Sequence, residues 1–211
     1  MTQAERQTLK AKSPYNNCAV LTREQFLFHE MRTTAKLLIQ GLSDEEVADR
    51  VEKENLFQYP TERSSRSMAG TCLKRLSCLE DEELIRAVAV ATAEDAKQIC
   101  LYAMMRQYYL VWEFMVKVVG EKYRTLDMSF GKMDVNAYFL RLQEQDDWVA
   151  AWSESTIERI KWVLIKLLVQ NEYMDNNKSQ KLNPVMTCRI LEEGILRNHD
   201  EKSFPAFNRF E

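Results

Sequence analysis

Three bases recur at helical spacing between residues 61 and 78, where their side chains could bind phosphate groups. At about 100° per residue, one stripe of a helix holds Arg63, Arg66, Gly70 and Lys74. Short hydroxyl side chains flank the stripe at Ser64, Ser67 and Thr71. Basic and hydroxyl groups are usual donors to DNA phosphates, and a glycine would let the helix approach the nucleic-acid backbone closely. The stripe therefore predicts a DNA-contacting helix, and a solvated basic face on an amphipathic helix is the alternative.

A second and weaker basic pattern lies in the C-terminal third of the chain. Residues 155–173 are apolar almost all round and leave a narrow polar strip that includes Arg159 and Lys166. The polar stretch that follows carries Lys178 and Lys181, and the short segments on either side of it predict a small β-hairpin. A helix followed by a hairpin is the order of a winged helix, so these four bases are predicted as further DNA contacts. Structural packing of the helix is the alternative.

The elements that must position these bases are predicted to be helices. The chain has 5 glycines and 4 prolines in 211 residues, too few for the turns of an all-β protein. Capping boxes at Thr22-x-x-Gln25 and Ser43-x-x-Glu46 predict two helix starts, and Gly41 predicts the end of the first of these helices. Three successive helices of which the third is basic are typical of a helix-turn-helix arrangement.

The predicted fold is an all-α helical bundle in two domains, residues 1–80 and 81–211. The first 21 residues are polar and are expected to form a loosely held arm before the helix-turn-helix-like three-helix unit. The second domain is expected to be a helical bundle, for which a winged-helix-like unit is considered from about residue 150.

The sequence offers few residues and motifs that could support catalysis or metal binding. The chain has two histidines, His29 and His199, which are far apart in sequence. Its glycines do not form a dinucleotide-binding, nucleophile-elbow or phosphate-loop motif. We therefore expect a non-enzymatic protein with no catalytic residue, no metal site and no cofactor.

The charges are segregated along the chain although their sum is small. The net charge is −3, which by itself does not favour nucleic-acid binding. Residues 43–54 hold six acids and two bases, and residues 80–95 hold six acids and one base. Between them, residues 61–78 hold four bases and one acid. DNA binding would therefore have to depend on local basic patches.

The location of the protein is predicted from one apolar stretch and from the cysteines. Residues 98–119 are rich in apolar side chains but include Arg106, Glu113 and Lys117, each of which would cost about 2.5–3.5 kcal/mol at the centre of a bilayer. This predicts a buried helix in a soluble core and no membrane association. The five cysteines show no Cys-x-x-Cys spacing, which indicates reduced thiols, and the start of the chain lacks the apolar core of a signal peptide. We expect a cytoplasmic protein.

Several short motifs, in the same order and at similar spacing, resemble the BrxA family of BREX phage-exclusion systems. They lie between about residues 15 and 197 and include Tyr15-Asn16-Asn17, Glu54-Asn55-Leu56-Phe57, Glu121-Lys122-Tyr123, Trp152-Ser153-Glu154-Ser155-Thr156 and Leu182-Asn183-Pro184. The resemblance implies a small helical protein that acts beside methyltransferase, phosphatase-like and ATPase components of the defence system. It also implies similarity to the NusB antitermination factor and binding to DNA.

Two further functions compete with double-stranded DNA binding, and an unrecognised enzyme is the remaining alternative. The acidic segments could dock onto other BREX components, which would make the protein a protein–protein adaptor that assembles the defence complex. RNA could be the ligand if the NusB-like interpretation applies. The sequence favours a non-catalytic accessory protein that binds double-stranded DNA.

Overall fold

The computed structural model describes residues 3–210, and this part of the chain is built from α-helices, as predicted. The helices are α1 (Gln3–Lys12), α2 (Phe28–Leu38), α3 (Asp44–Lys53), α4 (Glu62–Ser77), α5 (Glu82–Val90), α6 (Ala93–Gln107), α7 (Tyr109–Phe114), α8 (Gly120–Arg124), α9 (Lys132–Gln145), α10 (Asp147–Ala150), α11 (Glu154–Gln170) and α12 (Arg189–Arg197). Short 3₁₀ helices cover Cys18–Thr22 and Glu201–Phe207. A π-helical stretch, Met115–Val119, joins α7 to α8. No helix within residues 3–210 has the length and apolar character needed to cross a lipid bilayer.

Backbone contacts divide the chain into two compact units. The first unit comprises the chain up to Gln25, Tyr108–Met186 and the chain from Lys202 onward. The second unit comprises Phe26–Gln107 and Thr187–Glu201. The boundary near residue 80 that the sequence predicts falls inside the second unit, and the division into domains 1–80 and 81–211 stays a prediction.

The second unit contains α2–α6 and α12, and its first three helices form one small core. Apolar side chains from α2, α3 and α4 meet there: Leu37, Val47, Ala48, Val51 and Ala69. Local signals fix the ends of these helices. Gly41 adopts a φ of 89° after α2, and the side chain of Ser43 accepts from the Glu46 N–H while Glu46 bonds back to Ser43, as the capping box predicts. Thr61 caps α4 by accepting a hydrogen bond from the backbone N–H of Ser64.

The first unit contains α1 and α7–α11, and it incorporates the segment that was expected to be a loose arm. That expectation is wrong for residues 13–21, where Tyr15, Cys18 and Leu21 are buried, and residues 3–12 form a helix. The Tyr15 hydroxyl donates a 2.6 Å hydrogen bond to the buried carboxylate of Glu113, which also accepts from Lys117 at 2.7 Å. Although the segment is polar in composition, these three well-spaced side chains are buried and anchor it. Residues 1 and 2 lie outside the described part of the chain.

The predicted hairpin near the C-terminus is a second correction. Lys181 forms an isolated antiparallel bridge with Ser129, and the backbone N–H of Leu182 donates to the Met128 carbonyl at 2.8 Å. Within the described residues the two expected strands, Tyr173-Met174 and Lys181-Leu182, are not hydrogen-bonded to each other, and it is the backbone N–H of the next residue, Asn183, that donates to the Tyr173 carbonyl at 2.8 Å. The Tyr173 side chain is buried and its hydroxyl donates to the Ala206 carbonyl at 2.9 Å. Core packing therefore removes one of the expected strands from the surface.

Candidate nucleic-acid interface

The basic stripe of α4 is only partly on the surface. Arg63 and Lys74 are exposed, and within residues 3–210 neither forms an ion pair. Ser64 and Ser67 are exposed as well, and Gly70 has open space where a Cβ atom would lie. Thr71 differs, because it is only 8% exposed and its hydroxyl donates to the Ser67 carbonyl at 3.3 Å. The hydroxyl of Thr71 is therefore hydrogen-bonded within its own helix and does not line the surface.

Arg66, at the centre of the stripe, is held by carboxylates of α3. Its guanidinium donates to Asp49 at 2.5 Å, to Glu52 at 2.8 Å and also to Glu45. The hydrogen bond from Arg66 is the largest cause that lowers the pKa of the Asp49 carboxyl. These three acids compensate the positive charge, so Arg66 crosslinks α3 to α4 instead of facing outward as the sequence pattern suggested. A helix periodicity identifies the face on which a side chain lies, but it does not identify the helix packed beside that face.

Both predicted bases of α11 lie beside an exposed indole that the sequence interpretation did not single out. Trp162 is 40% exposed. The guanidinium carbon of Arg159 lies 4.9 Å from the centre of a Trp162 ring, and Lys166 Nζ lies 4.8 Å from it. Lys166 Nζ also donates a 2.9 Å hydrogen bond to the side-chain oxygen of Gln25. The spacing Arg-x-x-Trp-x-x-x-Lys was the available signal, because positions i, i+3 and i+7 share one helix face.

The two lysines of the expected wing are exposed in an irregular segment. Lys178 follows a turn in which its backbone N–H donates to the Asn176 side chain at 2.9 Å. Lys181 stands at the bridge to Ser129. In the described part of the chain neither lysine, nor Arg159 or Lys166, forms an ion pair with a carboxylate. All four predicted bases of the C-terminal region therefore keep uncompensated charges, although the hairpin that was to carry two of them is absent from the described residues.

Charge is divided unequally between the two units. The first unit has 16 Lys and Arg against 14 Asp and Glu, whereas the second unit has 13 against 18. The α4 stripe belongs to the acidic second unit, and Arg159, Lys166, Lys178 and Lys181 belong to the basic first unit. Because a surface with an excess of bases attracts a polyanion and one with an excess of acids repels it, the first unit offers the better electrostatic setting for nucleic acid. Within residues 3–210, no three His, Cys, Asp or Glu side chains converge as metal ligands would.

These features define a small all-helical protein with an exposed surface of cations around an indole. The chain belongs to the BrxA family of BREX phage-defence proteins, because the sequence model of that family matches residues 14–199. A BREX protein BrxA from Bacillus cereus (strain H3081.97) is 34% identical over 168 residues, which cover 79% of this chain and 84% of the relative.

A more distant relative agrees with this assignment, and a solved structure has a similar fold. A BREX protein BrxA from Escherichia coli O9:H4 (strain HS) is 22% identical over 74% of this chain and 73% of its own length. The crystal structure of an uncharacterized protein from Magnetospirillum magneticum superposes with a TM-score of 0.76. That structure is 19% identical and the match covers 90% of this chain and 96% of the other, so it supports the fold alone.

Proposed function

We propose that this protein is a non-catalytic accessory of BREX phage defence that binds double-stranded DNA through its first unit. The observation that carries the proposal is the set of four bases, Arg159, Lys166, Lys178 and Lys181, whose charges no carboxylate of the described chain compensates. They lie in the unit that has the excess of bases. Membership of the BrxA family supports the role in defence.

These four bases can supply phosphate binding without base recognition. Guanidinium and ammonium groups pair with phosphate oxygens and release condensed counterions, which lowers the logarithm of the binding constant by about 0.9 per contact for each tenfold rise in salt. Such contacts set the position of a protein on DNA and carry no sequence information. We therefore expect duplex binding that depends strongly on salt and weakly on sequence.

The predicted α4 surface takes a secondary part in this proposal. α2, α3 and α4 keep the order of a helix-turn-helix unit, and Arg63, Ser64, Ser67 and Lys74 remain exposed on α4. Arg63 and Lys74 are eleven residues apart, or about 16 Å at 1.5 Å per residue, so the two could contact separate phosphates. Of the predicted winged-helix-like unit, only the order of α11 and an irregular basic segment after it remains within the described residues.

A protein–protein adaptor is the second candidate, and the acid excess of the second unit favours it. Eighteen acids against 13 bases would suit a basic surface on another BREX component. In that case nucleic acid would bind weakly or not at all, since the acidic unit would repel it.

The direct test is a binding titration of the full chain against a labelled duplex of about 30 base pairs, the corresponding single strand and duplex RNA. We expect DNA duplex binding whose affinity falls steeply between about 50 and 200 mM salt, because several phosphates are neutralised. Stronger binding to RNA would favour the NusB-like alternative. Absence of duplex binding at low salt would reject the proposed function and leave the adaptor.

A further inference from the structure

Trp162 is the most exposed of the four tryptophans. Its indole packs against two cations of α11, Arg159 and Lys166. Trp148 and Trp152 are mostly buried, at 9% and 7% exposure, whereas Trp162 is 40% exposed. Exposing an aromatic ring of this size forgoes the stabilisation that burial would give. The ring nevertheless lies beside two bases that the proposed function assigns to phosphate. An exposed ring next to two cations suits a ligand that has both an apolar face and negative charge.

We propose that Trp162 is a stacking platform for an unpaired base of single-stranded nucleic acid, with Arg159 and Lys166 binding the adjacent phosphates. This inference deepens the proposed function and rests on it. A nucleotide supplies both chemistries at once: a flat π-face for the indole and a phosphate on either side for the cations. Single-strand binding proteins combine aromatic side chains with a basic surface in this way.

The charges around the indole fit a polyanion. Arg159 and Lys166 contact Trp162 from one turn before and one turn after it on α11. The nearest acid in sequence, Glu158, is paired with Lys161 at 2.7 Å, so its charge is compensated. Both cations have long side chains that can move from the ring to a phosphate, because a cation–π contact at an exposed site is weak.

The duplex and single-strand functions of this surface are compatible. A duplex offers phosphates to the same bases but keeps its bases stacked, so the indole gains little from it. A single strand, a frayed end or an open segment offers an unpaired base as well. The ring therefore predicts a preference for DNA that contains unpaired bases, superimposed on general duplex binding.

The test compares Trp162→Leu and Trp162→Phe in the full chain, using a 20-nucleotide oligo-dT strand, oligo-rU and a blunt duplex. Loss of the ring in Trp162→Leu should weaken both single strands on the order of tenfold, as expected for one stacked base, and should change duplex affinity much less. Trp162→Phe keeps a ring and should keep most of the affinity. The matched control is Phe210→Leu, since Phe210 is also 40% exposed and lies outside the proposed surface.

A stacking signature separates this role from a structural one. A strand with a central 2-aminopurine should lose fluorescence on binding to the parent and to Trp162→Phe, but not to Trp162→Leu. Unchanged affinity of Trp162→Leu for both single strands would overturn the inference and leave the proposed function intact, as would an equal loss on single strands and duplex. Failure of the parent to bind any nucleic acid would reject both.

Discussion

Arg66 on α4 donates a 2.5 Å hydrogen bond to Asp49 on α3. Two more acids of α3, Glu45 and Glu52, share the same guanidinium, so Arg66 holds the two helices together. Arg66→Ala should leave three mutually repelling carboxylates and lower the melting temperature by a few degrees. Arg63→Ala and Lys74→Ala, which remove exposed bases, should leave it nearly unchanged.

The same variants also separate stability from binding. Because the charge of Arg66 is already compensated, Arg66→Ala should change duplex affinity by less than about twofold at a temperature where it is folded, whereas an exposed phosphate contact would lower the salt slope by about one unit. Thermal unfolding by circular dichroism and salt titrations of binding give the two readouts. An Arg66→Ala variant with parental stability and strongly reduced affinity would contradict the assigned role.

Gly120 and Gly70 should respond in opposite ways to the same substitution. A Cβ atom on Gly120 would lie 2.8 Å from Pro205 Cβ and 2.9 Å from the Pro205 carbonyl, so Gly120→Ala forces a backbone shift and should destabilise the protein by about 1–3 kcal/mol. A Cβ atom on Gly70 meets nothing within 4 Å, and alanine in a helix interior should stabilise it by about 0.5–1 kcal/mol. Urea unfolding measures both. Equal changes in the two variants would show that the contact with Pro205 does not limit the residue at 120.

The Lys122–Asp127 ion pair should contribute to stability only above strongly acidic pH. A hydrogen bond from Lys122 at 2.7 Å, supported by Ser129, lowers the pKa of Asp127 from 3.8 to about 2. Because the folded pKa lies below the unfolded one, this stabilisation is fully present above about pH 4 and is lost as the pH falls towards 2. The free energy of unfolding should therefore fall more steeply between about pH 4 and 2 in the parent than in Asp127→Asn. Parallel pH curves for the two proteins would contradict the shift.

Local signals predicted the all-helical class and several helix ends, because they depend on neighbouring residues alone. Ser43, Glu46 and Gly41 lie where capping rules require them. The Thr22 capping box was wrong: Thr22 ends a 3₁₀ helix, its hydroxyl donates to the Ala19 carbonyl, and α2 begins at Phe28. Leu21 and Phe26 are buried there, and capping rules take no account of burial.

The residue types of the candidate site could be predicted from the sequence, but the arrangement of these residues in space could not. Arg159, Lys166, Lys178 and Lys181 were identified from residue type and are exposed or half-buried. Their importance relative to α4 depends on the acids that surround each set in space, and a single sequence does not give those neighbours. The exposure of Trp162 could not be predicted from the sequence either, because an aromatic residue on a mostly apolar helix is usually part of the core.

The central claim is that duplex DNA binds to the first unit, and one salt titration tests it most directly. It compares the parent with two triple variants that each remove three exposed bases. Arg159→Ala/Lys178→Ala/Lys181→Ala removes them from the first unit, and Arg63→Ala/Lys74→Ala/Arg86→Ala removes the same charge from the second unit.

The first-unit variant should lose on the order of tenfold or more in duplex affinity at low salt, and its salt slope should fall by about three units, one for each lost phosphate contact. The second-unit variant should change both quantities far less. Parental affinity and slope in the first-unit variant, together with their loss in the second-unit variant, would contradict the claim and assign the DNA contact to α4.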